Sequence, residues 1–378
     1  MRIAMIGLRD IPAKYSGVET AVEEIGTRLA EAGNDISVYC MSGLAADSGS
    51  YFRGLRRIEV PTVKSKNLAM IVYSFLSTCH AIYWRYDVVH LHAIGPGSMS
   101  LLCWLSRTPV VVTCHGLDYK REKWGLLARS YLRFGEYLSV KFADNVIVVS
   151  KSLQKYFQEK YGREVSYIPN ASIARQFVEF GDTGIKFGIK KKKYILFVGR
   201  LVECKRVDLL IRACPVMNDE FKLVIVGGGP EDIVSALKNI AVSRTDVIFT
   251  GPLYGSDLAG ILSNALIFVL PSILEGLPIA LIEALAYDLP VVVSDIAENL
   301  EVVSGNGICC ATIVKSDSEY SLRDGLMKGL EIAKNLRGRS CGNADYVSMN
   351  YNWDDIATMT LGIYRSVLSD APQPPSSK

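Results

Sequence analysis

The stretch "YILFVGRLVECKRVDLLI", residues 194–211, carries the pattern that decides the fold of this 378-residue chain. It begins with an uninterrupted apolar run, continues through a loop that starts at Gly199, and resumes with apolar residues at helical spacing from Val207. A short continuous apolar run is typical of a strand that is covered on both faces, as in a parallel sheet. The stretch therefore predicts a strand, a loop at its carboxyl end and then a helix.

The same strand–loop–helix pattern recurs along the chain. Segments with helical character, such as 17–32, 207–214 and 257–264, separate the apolar runs. The other runs are "IAMIG", "ISVYC", "DVVHLH", "PVVVTCH", "NVIVVS", "KLVIVG", "DVIFTG", "IFVLPS" and "PVVVSD". Alternation of strands and helices predicts α/β architecture with parallel sheets.

The pattern occurs twice, which predicts two domains. Residues 169–193 between the two series show little periodicity and end in four lysines. We expect an N-terminal domain over 1–170 and a C-terminal domain over 171–350. An amphipathic helix is predicted over 351–369, packing back on the N-terminal domain, and residues 370–378 are predicted to form a disordered tail.

Composition narrows the class of protein. Charged residues make up 21% and hydrophobic residues 49%, which is typical of a globular chain, and a net charge of +3 is too mild to indicate nucleic acid. The nine cysteines follow no metal-like or disulfide-like spacing, so reduced thiols in the cytoplasm are expected. The start "MRIAMIGLRD" lacks a signal-peptide pattern, and secretion is not expected.

Contact with a membrane is a separate question. The uncharged runs 68–84 and 258–274 lie at the short edge of what spans a bilayer, and we interpret them as buried helix and strand. Residues 119–143 mix basic with aromatic and aliphatic side chains, which fits either a helix on a lipid surface or a packed helix with a solvated basic face. The run Lys190–Lys193 similarly indicates a solvated linker edge or a contact with an anionic surface.

Two cations follow the strand of the opening stretch. Arg200 stands at the strand end and Lys205 lies five residues later, just before the helix. A planar guanidinium and an ammonium at this place suit a diphosphate, although surface solvation would also explain them. The run Gly227–Gly229 ends another strand and would let the backbone approach a ligand. No Asp-x-Asp pair is present, so we expect no metal site.

The stretch "EGLPIALIEALA", residues 275–286, places a carboxylate, Glu283, among apolar residues. Pro278 fits the first helical position, and the helix start after it favours an anion. Glu275 and Glu283 stand eight residues apart, which fits a glycosidase acid and base pair or two acceptors for sugar hydroxyls. A structural Glu283 paired with a basic residue is a further alternative.

The N-terminal half offers loops of the same kind. Gly7 and Gly17 do not have the spacing of the dinucleotide fingerprint, so hydride transfer is not expected, but Gly17 opens a helix and could favour an anion. His115 follows a strand, where it could bind a sugar hydroxyl or transfer a proton. His90 and His92 share one strand face, and without a third ligand we interpret them as structural residues.

Several ordered motifs resemble one known family over nearly the whole chain. "EGLPIALIEAL" resembles the Glu-x7-Glu motif of retaining glycosyltransferases of the GT-B type, particularly glycosyltransferase family 4. "FVGRLVECKRVDLLI", "PNAS", "PVVVSDIAENLEVV", "KYSGVETAVEEIGTRLAEAG" and "TCHGLD" resemble further segments of that family. The resemblance implies two Rossmann-like doubly wound domains that face a central cleft, the first binding acceptor and the second binding a nucleotide-sugar donor.

The resemblance also implies roles for single residues. Ribose hydroxyls would be bound by Glu283 and those of the transferred sugar by Glu275, with His115 near the reacting centre. The departures are Ser16, where the family often has a second glycine, and Gly228, where an acidic residue is frequent. The donor phosphates and sugar would contact Gly17, Arg200, Lys205, Gly228, Leu277, Pro278 and Ile279.

The implied activity is transfer of a sugar from a nucleotide-diphosphate sugar, with retention of anomeric configuration and without a metal or other cofactor. A glycan or polyprenyl-linked glycan is the expected acceptor, in bacterial surface polysaccharide synthesis such as O-antigen, capsule or exopolysaccharide. A cytoplasmic protein with peripheral membrane contact would fit this role. The alternatives are a sugar-nucleotide epimerase, a glycosidase and a non-catalytic assembly partner that binds nucleotide sugar.

Overall fold

The computed structural model divides into two compact units. The first is Met1–Asn170 together with the segment that starts at Trp353, and the second is Ala171–Asn352. The structure describes residues 1–14, 16–43, 49–65, 68–122, 124–172, 178–216, 221–305, 307–336 and 338–370. Residues 371–378, for which a disordered tail is predicted, lie outside the described residues.

The first unit is built on an eight-stranded sheet. Its strands are β1 (Arg2–Ile6), β2 (Asp35–Met41), β3 (Tyr51–Phe52), β4 (Leu55–Val60), β5 (Val88–His92), β6 (Val110–Cys114), β7 (Asn145–Val148) and β8 (Ser166–Tyr167). The order across the sheet is β3-β4-β2-β1-β5-β6-β7-β8, and all pairs are parallel except β3 with β4. Fully buried β5 and β6 explain the continuous apolar runs.

Helices cover this sheet. They are α1 (Gly17–Glu31), α2 (Ala69–Tyr83), α3 (Ser100–Leu105), α4 (Leu126–Phe142), α5 (Lys151–Tyr161) and, from the end of the chain, α14 (Trp353–Asp370). Helix α14 packs against α1, and Arg28 of α1 pairs with Asp354 of α14 at 2.5 Å. The hydroxyl of Tyr364 lies 2.6 Å from His90 Nδ1, so the last helix is joined to the middle of the sheet.

The second unit contains a six-stranded parallel sheet. Its strands are β9 (Tyr194–Val198), β10 (Lys222–Val226), β11 (Val247–Gly251), β12 (Ile267–Leu270), β13 (Val291–Ser294) and β14 (Ala311–Val314), in the order β11-β10-β9-β12-β13-β14. Its helices are α6 (Gly181–Lys186), α7 (Val207–Ala213), α8 (Glu231–Ile240), α9 (Gly255–Asn264), α10 (Ile279–Ala286), α11 (Ala297–Val303), α12 (Glu319–Leu336) and α13 (Asn343–Asn350). The predicted α/β architecture with two parallel sheets is confirmed.

Each sheet reverses its strand order at one point. In the first unit the reversal lies between β1 and β5, and in the second unit it lies between β9 and β12. Loops at the carboxyl ends of the two strands diverge there and leave a crevice, which is where open α/β sheets bind ligands. The predicted site residues follow these strands: Gly17 follows β1, Arg200 and Lys205 follow β9, and Glu275 follows β12.

The segment between the two series contains structure that its weak periodicity does not indicate. The short helix α6 lies within residues 169–193. Lys192 is not a merely solvated linker residue, since its Nζ donates to the carbonyls of Ser263 and Ala265 at the end of α9. The last carbonyls of a helix need such donors, and a lysine also complements the helix dipole.

Candidate active site

The loops after β9 and β12 meet in the second unit. The backbone N–H of Ile273 donates to the carbonyl of Cys204 at 2.9 Å and joins them. This contact brings Lys205 beside Glu275, and Lys205 Nζ lies 2.5 Å from Glu275 Oε1. Their side chains are only 17% and 9% exposed. Two residues predicted separately, one for phosphate and one for sugar, thus form a single ion pair.

A left-handed residue fixes the end of the β9 loop. Arg206 has φ of 51°, a conformation that costs a non-glycine residue roughly 1 kcal/mol. Its guanidinium pairs with Asp317 at 2.6 Å and with Asp208 at 3.7 Å. These contacts hold the turn between Lys205 and the start of α7. Sequence reasoning missed Arg206, and only a cation next to Lys205 could have drawn attention to it.

The glycine run after β10 is needed for close packing at two of its three positions. A Cβ on Gly227 would lie 1.9 Å from the carbonyl oxygen of Gly199, and one on Gly229 would lie 2.0 Å from that of Leu201. A Cβ on Gly228 would meet only Pro252, at 3.7 Å. The structure thus leaves room for a side chain at Gly228, the position where the resembling family often has an acidic residue.

Helix α10 begins one residue later than predicted. Pro278 is the N-cap and Ile279 is the first helical residue. The carbonyl of Pro278 accepts hydrogen bonds from the backbone N–H groups of Leu281 and Ile282. The first N–H groups of a helix have no intrahelical acceptor and favour an anion. Leu277 and Pro278 are buried, while Glu283 lies half-buried on the helix. Arg200 is also half-buried, at the end of β9.

The glycine loop of the first unit is held by two carboxylates of α1. Glu19 accepts from the backbone N–H groups of Arg9 and Ser16, at 3.4 and 3.1 Å, and Glu23 accepts from that of Ala13 at 2.8 Å. Ser16 is the N-cap of α1 and Gly17 its first residue. The serine at this position thus begins a capped helix. Neither glutamate was predicted as part of the loop, although Glu at the third helical position is a recognisable capping signal.

Three histidines lie together at the carboxyl ends of β5 and β6. Ring centroids of His90 and His92 are 4.0 Å apart, and those of His92 and His115 are 5.5 Å apart. They line a small cavity with Thr113 and Asn170. Burial lowers the pKa of His115 to about 4 and that of His90 to about 3. These rings are neutral at physiological pH.

Two histidines on one strand face are residue types that can bind a metal ion. His90 is fully engaged instead, since its Nδ1 lies 2.6 Å from the Tyr364 hydroxyl and its Nε2 2.7 Å from Thr113 Oγ1. Across the described parts of the chain, no group of three His, Cys, Asp or Glu side chains is arranged to hold a metal ion. His90 therefore has a structural role.

Comparison with known proteins agrees with the geometry. The family model described as "Glycosyl transferases group 1" matches residues 184–340, and that described as "Glycosyltransferase Family 4" matches residues 15–171. The chain therefore belongs to the glycosyltransferase family whose two halves these models describe. The resemblance inferred from the motifs is confirmed, and each matched segment covers most of one compact unit.

Individual relatives are distant. Alpha-maltose-1-phosphate synthase of Mycolicibacterium smegmatis is 27% identical, over 97% of this chain and 100% of the relative. TuaC of Bacillus subtilis, named for teichuronic acid biosynthesis, is 30% identical over 56% of this chain and 53% of the relative. The structure of Anabaena HepE in complex with UDP-glucose matches with a TM-score of 0.77 at 16% identity, covering 97% of this glycosyltransferase and 100% of that chain. The predicted GT-B fold is thereby confirmed.

Proposed function

We propose that this glycosyltransferase moves a sugar from a nucleotide-diphosphate sugar to a glycan or polyprenyl-linked glycan acceptor, with retention of anomeric configuration. The Lys205–Glu275 ion pair is the observation that carries the proposal. It places a cation for the diphosphate beside a carboxylate that can accept hydrogen bonds from sugar hydroxyls, both where the sheet reverses its order. The UDP-glucose bound by HepE supports a donor of this class.

Charge on the departing diphosphate would be stabilised by protein cations. In this proposal Arg200 and Lys205 contact the phosphate oxygens, and the start of α10 at Ile279 directs its free N–H groups to the same charge. The acceptor hydroxyl passes its proton to the leaving phosphate oxygen on the front face of the sugar, which gives retention. Glu283 holds the ribose, and no metal ion takes part.

The first test is a screen of donors. Purified protein in EDTA is incubated with UDP-, GDP- and dTDP-sugars, and released nucleoside diphosphate is measured with and without acceptors. We expect release from one donor that grows with acceptor and survives EDTA, and a product with the anomeric configuration of the donor by NMR. Conversion of the donor into a second nucleotide sugar, without acceptor and without net release of nucleoside diphosphate, would instead support an epimerase. Donor binding without turnover in any combination would support an assembly partner.

We also propose that the enzyme acts in surface polysaccharide synthesis at the cytoplasmic face of the membrane. The relationship to TuaC, named for teichuronic acid biosynthesis, supports the pathway. No helix within the described ranges has the length and hydropathy needed to cross a bilayer. In this proposal the contact with the membrane is peripheral.

The surface of α2, α3 and α4 supports this contact. Helix α2 is predicted to be buried because it carries no charged residue. The structure differs, since several of its apolar side chains are exposed to solvent. All exposed charges of the three helices are basic, because the single acidic residue of α4, Glu136, is fully buried. We call the exposed apolar set the α2–α4 face; it comprises Phe75, Leu76, Tyr83, Trp104, Leu105, Leu126, Leu127, Phe134 and Tyr137. Aromatic and basic side chains together complement an anionic bilayer.

Flotation with vesicles tests the α2–α4 face. The protein is expected to float with phosphatidylglycerol-containing vesicles and less with purely zwitterionic ones. Trp104→Ser/Phe134→Ser should weaken binding at least about tenfold, because it removes two exposed aromatic side chains that would enter the bilayer. The matched control is Tyr320→Ser/Met349→Ser, which removes residues that are 84% and 79% exposed in the second unit. Equal loss in the control, or no flotation of the unmodified protein, would contradict the proposal.

A further inference from the structure

The three clustered histidines are not equivalent, because among the described residues only His90 has hydrogen-bond partners on both ring nitrogens. His92 uses one nitrogen: its Nδ1 lies 3.2 Å from His115 Nε2. Its other nitrogen, Nε2, is buried and has no hydrogen-bond partner among the described residues. His92 itself is 1% exposed. This asymmetry constrains where the protons of the His92–His115 pair can lie.

Both rings of the pair are neutral at physiological pH. Burial lowers the pKa of His92 well below its ordinary value and the pKa of His115 to about 4. A neutral imidazole has one nitrogen that donates and one that accepts. The contact between them therefore allows two arrangements: His92 donates from Nδ1 to His115 Nε2, or His115 donates from Nε2 to His92 Nδ1.

The two arrangements differ in what they leave at His92 Nε2. If His115 donates, His92 carries its proton on Nε2 and buries an N–H without an acceptor. If His92 donates, only a lone pair is left there. Buried N–H groups without an acceptor are rarer in proteins than acceptors that lack a donor, because burying an N–H group without a hydrogen bond costs free energy. The second arrangement is therefore favoured, in which His92 carries its proton on Nδ1.

We propose that His92 is a positioning residue that fixes His115 as the tautomer protonated on Nδ1. His115 Nε2 then carries no proton and accepts the hydrogen bond from His92 Nδ1–H. It is therefore not free to accept a proton from a substrate. What His115 can offer is a hydrogen bond from Nδ1–H. The inference rests on the proposed function in assigning that hydrogen bond to an oxygen of a substrate.

This assignment bears on the mechanism. A histidine whose accepting nitrogen is occupied, and whose pKa is lowered to about 4, is not suited to remove a proton from an acceptor hydroxyl near pH 7. His115 would therefore orient a substrate by donating a hydrogen bond to it. The proton of the acceptor hydroxyl is left to the departing phosphate oxygen, as front-face transfer requires.

The tautomer can be measured directly. The chain has only four histidines, so ¹⁵N-histidine labelling and two-bond ¹H–¹⁵N correlation spectra of the full-length protein can be assigned with single variants. We expect His115 and His92 both to show a protonated Nδ1 and an unprotonated Nε2 near pH 7. A His115 protonated on Nε2 in the unmodified protein would overturn the proposal, whatever the variants do.

Two substitutions at His92 separate positioning from packing. His92→Asn keeps an N–H two bonds from Cβ, where Nδ1 stands in histidine, and is expected to retain both the His115 tautomer and kcat/KM. His92→Leu removes the donor, and we expect mixed His115 tautomers and a loss of about 3- to 10-fold in kcat/KM. Equal tautomer signals in the two variants would contradict the proposed role.

A control and a second readout complete the experiment. Tyr364→Phe removes a partner of His90 and should leave the His115 signals unchanged. The spectra need no substrate, so they report on the tautomer even if the donor screen finds no turnover. If the enzyme turns over a donor but the spectra show His115 protonated on Nε2, this inference is wrong and the proposed function still holds.

Discussion

Replacing Lys205 with alanine is expected to lower kcat by about 10²- to 10³-fold, the loss typical of removing one preorganised charge from the transition state. Lys205 lies after β9 at the strand-order reversal, is 17% exposed, and bonds Glu275 at 2.5 Å. Because Lys205 is largely buried and held by Glu275, its ammonium group needs little reorganisation to stabilise a departing diphosphate. Steady-state kinetics with the donor found by the screen would measure the effect.

The Lys205–Glu275 ion pair gives a second possible cause for a loss in kcat, and a double variant separates the two causes. Lys205→Ala also leaves the Glu275 carboxylate without this cation, and the uncompensated negative charge would repel phosphate. The double variant Lys205→Ala/Glu275→Gln removes that repulsion, so recovery in the double variant would show that Lys205 acts only by neutralising Glu275. Lys191→Ala changes an exposed lysine of the same unit and should leave kcat unchanged. A near-normal kcat for Lys205→Ala would remove Lys205 from the proposed mechanism.

The sequence predicts the two sheets well because their central strands are buried on both faces. Runs such as 194–198 and 291–294 are apolar at nearly every position, a pattern that few other structures require. Helix starts are predicted nearly as well when a residue type marks them. Pro278 is displaced by one position only, from the first helical residue to the N-cap.

The partners of charged residues are much harder to predict. Lys205 and Glu275 are 70 positions apart, and the residues alone indicated two separate roles for them. Their meeting depends on β9 and β12 being neighbours, and the order of strands in a sheet is not written in local periodicity. The cap that Lys192 provides on α9 was missed for the same reason, since it joins residues that are distant in the chain.

The face of α2 shows a further limit of pattern reasoning. An uncharged helix is normally interpreted as buried, because apolar side chains leave water on folding. Here the buried face carries Ser74, Ser77 and Thr78, while Phe75 and Tyr83 are 45% and 78% exposed. Hydropathy alone gives the right helix and the wrong environment for these aromatic residues.

The largest stability effect is expected for Arg57→Met in the first unit. Arg57 Nε lies 2.9 Å from Asp10 Oδ1, and both side chains are almost fully buried, at 3% and 4% exposure. Removing the arginine leaves Asp10 as a buried carboxylate without this cation, which typically costs about 3 to 5 kcal/mol. Chemical denaturation of the full-length protein, followed by a probe in the first unit, would measure the loss in free energy of unfolding.

The double variant Asp10→Asn/Arg57→Met distinguishes loss of the charge partner from loss of packing. Because the neutral amide no longer needs a cation, we expect it to regain most of the lost stability. Arg53→Met is the control: its guanidinium pairs with Glu23 and Glu24, but it is 42% exposed, and Glu24 keeps Arg28 as a second cation. The expected loss is therefore about 1 kcal/mol or less. If Arg57→Met and Arg53→Met cost the same, burial does not set the value of the Asp10–Arg57 pair. If the double variant is no more stable than Arg57→Met, the arginine stabilises the unit through the packing of its side chain.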